Sequence, residues 1–339
     1  MRTKTWIVLA ALVSFWLVGL GWPSTTHIDA SRKFEFTYAA TLKNLPAGAH
    51  AVRVWIPMAS TDAHQTVTLE KVQSTVPTRT TRETGYGNRM FYAEFRTPAS
   101  APPQFKMIYH VTRREYSKGD YQSLMRFNND PGPAPKSVQR FLLPDRLIPV
   151  GGRLQAIAQQ ATRGQSGEIE RAHALYDYVF HNMRYDKSGT GWGRGDALWA
   201  CDAHHGNCTD FHSLFISMAR SERIPARFEI GFPLPENLQE GMVPGYHCWA
   251  EFYATGAGWV PVDISEAWLD QKKHDYFFGS VDANRVRFSQ GRDLTLAPKQ
   301  SGAPVNYFVY PYVEVDGKPF QATTHFAFKD LGLARGSRQ

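Results

Sequence analysis

The amino-acid sequence predicts an α+β fold, in which an all-β region precedes a region of helices packed on an antiparallel sheet. Between residues 31 and 115, apolar and polar residues alternate along several stretches, which is typical of strands with one buried face. Between 152 and 183, two stretches repeat apolar residues every three or four positions, which indicates amphipathic helices. Beyond residue 245, strand patterns separated by turns return.

Residues 1–30 have the pattern of a signal peptide or an N-terminal membrane anchor. Arg2 and Lys4 precede an apolar run at 6–20, which a Gly-Trp-Pro sequence ends. The run is short for a membrane span, which takes about 20 residues, so the pattern favours cleavage over retention. If it stays uncleaved, residues 6–22 would associate the protein with a membrane. We therefore expect an exported protein, periplasmic or secreted.

The next part of the chain, residues 31–128, is predicted to be a β-sandwich domain. Its strand patterns lie at 34–38, 52–56, 91–95 and 105–111. Nothing in it points to chemistry, and two roles remain open, a binding or positioning domain and a scaffold. A proline-rich linker follows at 129–150.

Residues 151–300 are predicted to form a second domain, and 301–339 a C-terminal β extension with a frayed tail. Helices are expected near 154–161 and 169–183. A glycine-rich loop from Lys187 to Asn207 follows, and a loop of this length in a compact domain is usually functional or mobile.

Cys208 stands where this polar loop becomes an apolar-periodic helix. Phe211, Leu214, Phe215 and Met218 share one helical face, which places Cys208 at or near the helix N-terminus. The unpaired N–H groups and positive dipole end found there favour a thiolate over a thiol. The sequence thus predicts a sulfur nucleophile.

Two later strand patterns offer a base and a group that orients it. His247 lies near the start of one predicted strand, Tyr246–Tyr253, and Asp263 near the end of the next, Gly258–Ile264, so neighbouring antiparallel strands can place them side by side. Glu251 is the rival orienting group, but it lies four residues along the same strand as His247. At roughly 13 Å it is too distant for a direct hydrogen bond.

Four blocks resemble, in order, the signatures of the transglutaminase-like superfamily: Gly206-Asn207-Cys208-Thr209-Asp210, Ile224-Pro225-Ala226-Arg227, Gly245-Tyr246-His247-Cys248-Trp249-Ala250-Glu251 and Trp259-Val260-Pro261-Val262-Asp263. The resemblance covers roughly residues 150–270. It implies a papain-like thiol-enzyme core with Cys208 as nucleophile, His247 as base and Asp263 as orienting group. It also suggests the indole N–H of Trp199 as an upstream oxyanion donor, with a purely packing role as the alternative. Asn207 is a further candidate at the oxyanion site or cleft.

The other two cysteines fit the nucleophile role less well. Cys201 precedes polar, non-periodic residues, so no helix dipole points at it. Cys248 adjoins His247 on a strand and is expected to point to the opposite face, as a small core residue. A Cys201–Cys208 disulfide, which would inactivate the enzyme, remains a minor hypothesis. Asp210 is expected to complement the helix dipole or cap its N–H groups.

Several other functions are disfavoured. The net charge of +7 arises from scattered basic residues without a stripe of interleaved aromatics, so nucleic-acid binding is not expected. The sequence Cys201-x-x-His204-His205-x-x-Cys208 has metal-ligand residue types but not the paired spacings of a zinc site. These histidines and His212 are expected at the rim of the cleft. No organic cofactor or metal is implied, and no calcium-loop pattern occurs.

The predicted function is acyl transfer or hydrolysis at an amide or peptide bond through a thioester on Cys208. Protein, peptide or cell-wall peptide would be the substrate, and water or an amine the acceptor. The alternative is a catalytically idle exported binding module that has inherited the core. The sequence does not indicate the oligomeric state.

Overall fold

The computed structural model describes residues 30–96, 101–128 and 135–332. The helices of this part are α1 Tyr121–Leu124, α2 Gly152–Ala161, α3 Glu168–Asn182, α4 Ala197–Ala203, α5 Cys208–Ser221 and α6 Ile264–Leu269. The strands up to residue 206 are β1 Ser31–Thr41, β2 Val52–Pro57, β3 Gln65–Ser74, β4 Arg79–Arg82, β5 Arg89–Phe95, β6 Gln104–Arg114, β7 Tyr116–Ser117, β8 Arg184–Tyr185 and β9 His205–Gly206. Those after it are β10 Ala226–Pro233, β11 Glu240–Met242, β12 His247–Ala254, β13 Gly258–Val262, β14 Ser280–Val281, β15 Arg285–Gln290, β16 Tyr312–Val315, β17 Lys318–Phe320 and β18 Thr323–Asp330.

Two five-stranded antiparallel sheets contain the N-terminal strands. The first has the order β11-β18-β1-β6-β3 and the second β17-β16-β2-β5-β4. The expected alternation is clear in β1, where Phe34, Phe36 and Tyr38 are buried and their neighbours are more exposed. These sheets confirm the prediction of a sheet-rich region that precedes the core.

The strands predicted after Asp263 divide between the sheets: β15 extends the sheet of the core, whereas β16, β17 and β18 join the N-terminal sheets. β18 pairs with β1 along its whole length, and β16 pairs with β2. Sequence patterns indicate that a segment is a strand but not which distant strand offers an unpaired edge. The limits of the predicted domains stay a prediction.

The core is a four-stranded antiparallel sheet of order β13-β12-β10-β15, on which α5 packs. Every residue of α5 is buried, because α2, α3, α4 and α6 contact it away from the sheet. The sequence predicted one buried face; a helix surrounded on all sides is instead the centre of its domain. The site at the start of α5 is therefore rigidly held.

The first N-terminal sheet packs directly on the core sheet. The ring of Phe36 in β1 lies 5.2 Å from that of Phe232 in β10 and 5.6 Å from that of Phe288 in β15. Tyr38 contacts the same two rings. Aromatic faces of this size bury a large apolar area, so the two regions share one continuous core.

The stretch from Lys187 to Asn207 is not all loop, since α4 occupies part of it, with Asp196 as its N-cap. A helix of two turns is too short to produce a recognisable apolar period. Residues 1–30 lie outside the described part except for Ala30, and the helices in the described part are all too short or too polar to cross a membrane.

Candidate active site

Cys208 is the first residue of α5, as the sequence predicts. Asn207 is the N-cap, and its side chain accepts a hydrogen bond from the backbone N–H of Thr209 at 3.0 Å. Asp210 completes a capping box by accepting from the backbone N–H of Asn207 at 3.0 Å. Asp210 thus has the capping role that was expected of it. Cys208 is nearly buried, with 2% of its surface exposed.

His247 and Asp263 lie in direct contact. Nε2 of the imidazole is 2.7 Å from Oδ2 of the carboxylate, and both residues are buried. Since a carboxylate only accepts, the imidazole donates its Nε2–H, and Nδ1 is left to face the thiol. His247 and Asp263 are not directly opposite each other in the sheet. Val262 opposes Ala250, and Asp263 lies just past the end of β13, as the N-cap of α6, so the contact with His247 runs diagonally between the two strands.

The thiol and the imidazole shift each other's pKa. Burial raises the pKa of Cys208, but hydrogen bonds with Cys248 and His247 and the charge of His247 outweigh burial and lower it to about 5. Burial lowers the pKa of His247, but the charge of Asp263 and the hydrogen bond to it raise this pKa well above its ordinary value. The pair therefore favours thiolate and imidazolium at neutral pH. The catalytic roles of the three residues stay a prediction.

Cys248 and His212 are closer to the nucleophile than expected. Cys248 is not merely a core residue, because its thiol bonds to Cys208 and its sulfur lies 3.7 Å from Nδ1 of His212. His212 is not at the cleft rim but fully buried, where its Nε2 accepts from the backbone N–H of Ile264 at 3.1 Å. Burial lowers the pKa of His212 to about 4, so its ring is neutral. Face alternation along β12 could not show that α5 packs on the Cys248 side.

Both oxygens of the Asp263 carboxylate accept hydrogen bonds from protein groups. Its Oδ2 accepts from His247 and also from Nη1 of Arg285 at 2.8 Å. Its Oδ1 accepts from the Ser265 hydroxyl at 3.1 Å and from the Glu266 backbone N–H at 3.2 Å. These donors keep the carboxylate ionised and its orientation unique. Sequence reasoning missed Arg285, and no local pattern could have related it to Asp263.

A second carboxylate borders the imidazole. Oε1 of Glu266 lies 3.8 Å from Nδ1 of His247, and its side chain is 36% exposed. Glu251, the rival orienting group, instead pairs with Nη2 of Arg227 at 2.7 Å. The distance argument against Glu251 agrees with this placement.

The glycine-rich loop is anchored beside Cys208 at its second half. Asp210 accepts from the backbone N–H of Gly193 at 2.7 Å and of Gly195 at 3.0 Å. The buried Arg292 bonds to the carbonyl oxygen of Gly195 at 3.0 Å and to the hydroxyl of Ser213 in α5 at 2.7 Å. This segment is a fixed wall of the site, so its glycines serve close packing.

Substituting Gly195→Ala should destabilise the protein more than the matched control Gly189→Ala. Both glycines have positive φ, +60° and +72°, which costs a non-glycine residue about 1 kcal/mol or more. A Cβ at 195 would also lie 2.6 Å from the Ser213 hydroxyl, whereas nothing lies within 4 Å of one at 189. Thermal unfolding measures the difference, for which we expect about 1–3 kcal/mol. Equal losses in the two variants would contradict the close packing.

The two tentative oxyanion residues have other contacts. Asn207 caps α5 through its oxygen and donates from Nδ2 to the hydroxyl of Tyr246 at 2.9 Å. Trp199 lies in α4. Gly191 packs so closely on its indole that a Cβ at residue 191 would lie 2.6 Å from the indole nitrogen, and the indole ring lies 5.3 Å from the ring of His205. Their roles toward an oxyanion stay predictions.

Within residues 30–96, 101–128 and 135–332, no three His, Cys, Asp or Glu side chains are arranged so that they could hold one metal ion. His204 and His205 bond to the backbone carbonyl groups of Asn182 and Asp186. Cys201 is a buried free thiol and accepts from Arg153 at 3.3 Å. Cys208 is free as well, so the structure contains no Cys201–Cys208 disulfide.

The chain is similar to known proteins, both in sequence and in structure. A protein of Haemophilus influenzae, itself named only as an uncharacterized protein, is 32% identical over 224 residues, which cover 57% of this chain and 61% of that relative. The solved structure of "a Putative Cysteine Protease from Cytophaga hutchinsonii" superposes with a TM-score of 0.58 at 16% identity, over 90% of this chain and 93% of that one. This likeness shows the fold alone. The periplasmic domain of TgpA from Pseudomonas aeruginosa is 15% identical over 72% of this chain and 90% of that one, with a TM-score of only 0.36.

The family model of the transglutaminase-like superfamily matches residues 155–264. This segment runs from α2 to the first residue of α6 and includes Cys208, His247 and Asp263. The match confirms the resemblance inferred from the four sequence blocks. Residues 155–264 of this chain therefore form a transglutaminase-like core.

Proposed function

We propose that this protein is a cysteine-dependent enzyme that transfers the acyl group of an amide or peptide bond through a thioester on Cys208. The observation that carries the proposal is the thiol of Cys208 beside an imidazole that Asp263 binds at 2.7 Å. A thiolate needs such a proton donor and acceptor, and the imidazole needs a partner that fixes its tautomer.

The proposed reaction has two halves. The thiolate of Cys208 attacks the amide carbonyl, and a C–S bond forms as the carbonyl π electrons move to oxygen. When the tetrahedral intermediate collapses, the C–N bond breaks and Nδ1–H of His247 protonates the leaving amine. In the second half, neutral His247 takes a proton from water or an amine, which attacks the thioester and releases Cys208 as thiolate.

Two features of the surroundings support this sequence of steps. The backbone N–H of Cys208 lies in the first turn of α5, where helix N–H groups are not used within the helix and can bind an oxyanion. Asp263 holds Nε2 of His247, so Nδ1 is the nitrogen that exchanges protons. Both features depend on elements that are buried and fixed.

The acceptor decides the enzyme class. With water the protein is an amidase or cysteine peptidase, and with an amine it is an acyltransferase. We propose peptides, including those of the cell wall, as substrates, because the residues 1–30 pattern favours export.

The pH dependence of alkylation tests the proposed pair of Cys208 thiolate and His247 imidazolium directly. Because the pKa of Cys208 is lowered to about 5, its thiolate persists above that pH, and iodoacetamide should modify it with a half-maximal rate near pH 5. Cys248, whose pKa burial raises well above the ordinary value, should stay unmodified there, as an internal control. Peptide mapping by mass spectrometry assigns the modified cysteine.

The competing function, an idle binding module, makes the opposite prediction. An unactivated thiol would react only as the pH approaches about 8.5. A Cys208 rate that rises only there would reject the proposed enzyme.

A further inference from the structure

Arg285 contacts the candidate triad from outside the segment that matches the superfamily. It begins β15, whose pairing with β10 aligns it with Pro233. Its side chain is 3% exposed, and Nη1 donates to Oδ2 of Asp263 at 2.8 Å. This is the same oxygen that accepts from His247 at 2.7 Å. One carboxylate oxygen thus lies between two donors that carry positive charge.

The guanidinium of Arg285 is itself held on two further sides. Its Nη2 and Nε lie 3.3 and 3.4 Å from the two carboxylate oxygens of Asp282. Its central carbon lies 5.0 Å from the centroid of the Trp249 ring. The planar guanidinium of Arg285 is therefore fixed in orientation, whereas the flexible side chain of a lysine at this position would not be.

This arrangement has an electrostatic consequence for the imidazole. An arginine stays protonated at every pH that the protein meets, so its charge offsets that of Asp263 permanently. Asp263 alone would stabilise the imidazolium strongly and make it a weak acid. With Arg285 on the same oxygen, the imidazolium releases its proton more readily to a leaving amine.

We infer that Arg285 is a positioning residue of the proposed triad, which holds Asp263 in place and limits how strongly that carboxylate stabilises the His247 imidazolium. The inference rests on the proposed function. The titratable and charged groups around His247 include Cys208 and His212 from α5, Cys248 from β12, Asp263 and Glu266 at the start of α6, and Arg285 from β15 with Asp282 behind it. Tyr185 of β8 and Tyr246, just before β12, interact electrostatically with Cys208, and Arg292 does so with Cys248.

The test measures the pH at which the His247 imidazolium loses its proton. The ratio of the Cys208 alkylation rates with iodoacetate and with iodoacetamide is followed against pH in the full chain. The imidazolium attracts the anionic reagent but not the neutral one, so this ratio falls as His247 deprotonates. The midpoint of that fall reports the acidity of His247 in the presence of the thiolate.

The Arg285→Gln variant should move the midpoint up by about one pH unit, because a cation beside the imidazolium is removed. Arg285→Lys keeps the charge, so its midpoint should stay within about 0.3 unit of the wild type. Asp282→Asn removes an anion and should move the midpoint down, while its carbonyl can still accept from the Asn284 backbone N–H. Thermal unfolding confirms that each variant is folded.

The outcomes separate this inference from the proposed function. A folded Arg285→Gln protein with an unchanged midpoint would overturn the role of Arg285 alone. If Arg285→Gln does not fold, an unmoved or raised midpoint in Asp282→Asn has the same meaning. A wild-type ratio that does not vary with pH would overturn the ion pair, and the proposed function with it.

Discussion

Replacing Cys208 by alanine should reduce turnover by at least about 10³-fold, the largest effect we expect of any substitution. Without the sulfur no thioester forms, and the imidazole of His247 has no nucleophile to serve. Alanine also keeps helix propensity at the start of α5, so the fold should survive. The measurement is amide cleavage over a panel of peptides and cell-wall peptide fragments, with and without a labelled amine.

The same panel identifies the acceptor. Release of ammonia or peptide products without incorporation of the amine would show hydrolysis, and incorporation would show transfer. Cys201→Ala is the matched control, because that buried thiol bonds to Arg153 away from the imidazole. Turnover that survives Cys208→Ala but is lost in Cys201→Ala would reject Cys208 as nucleophile.

Replacing Asp263 by asparagine should reduce turnover by about 10²–10⁴-fold. An amide oxygen can still accept from Nε2 of His247, but it carries no charge to stabilise the imidazolium. The pKa of His247 should fall, and the thiolate of Cys208 should lose its counter-ion. The half-point of Cys208 alkylation is therefore expected to rise from about 5 toward that of an ordinary thiol.

Glu251→Gln is the control for this substitution. Glu251 lies on the same strand as His247, but its carboxylate pairs with Arg227. We expect its alkylation profile to match the wild type. An effect of Glu251→Gln as large as that of Asp263→Asn would mean that the orienting group has been assigned to the wrong carboxylate.

The sequence was sufficient to predict the features that depend on local interactions. The change from a polar, glycine-containing loop to an apolar-periodic run marks the helix start, because helix periodicity operates over a few residues. His247 and Asp263 could be selected because two adjacent strands joined by a short turn almost always pair. The diagonal contact between them, however, depends on where β13 ends.

Reasoning from one strand at a time was incomplete for Cys248, which is a buried core residue as expected but also contacts Cys208. Alternation of side chains says that Cys248 and His247 point to opposite faces, but not which face the nucleophile helix covers. Since α5 packs on the Cys248 side, this thiol contacts both Cys208 and the fully buried His212. The expectation of a cleft-rim histidine was wrong for the same reason.

By itself, the sequence determined that a sheet-rich region precedes a core of helices and antiparallel sheet, and it selected the cysteine at the helix start and the two residues that accompany it. Only the tertiary structure decided what surrounds them: the pairing of β18 with β1, the anchoring of the glycine loop by Arg292, and Arg285 on Asp263. These contacts join residues far apart in the chain. Their stability comes from burial and charge pairing after the sheets have assembled, and such interactions leave no periodic or local pattern in the sequence.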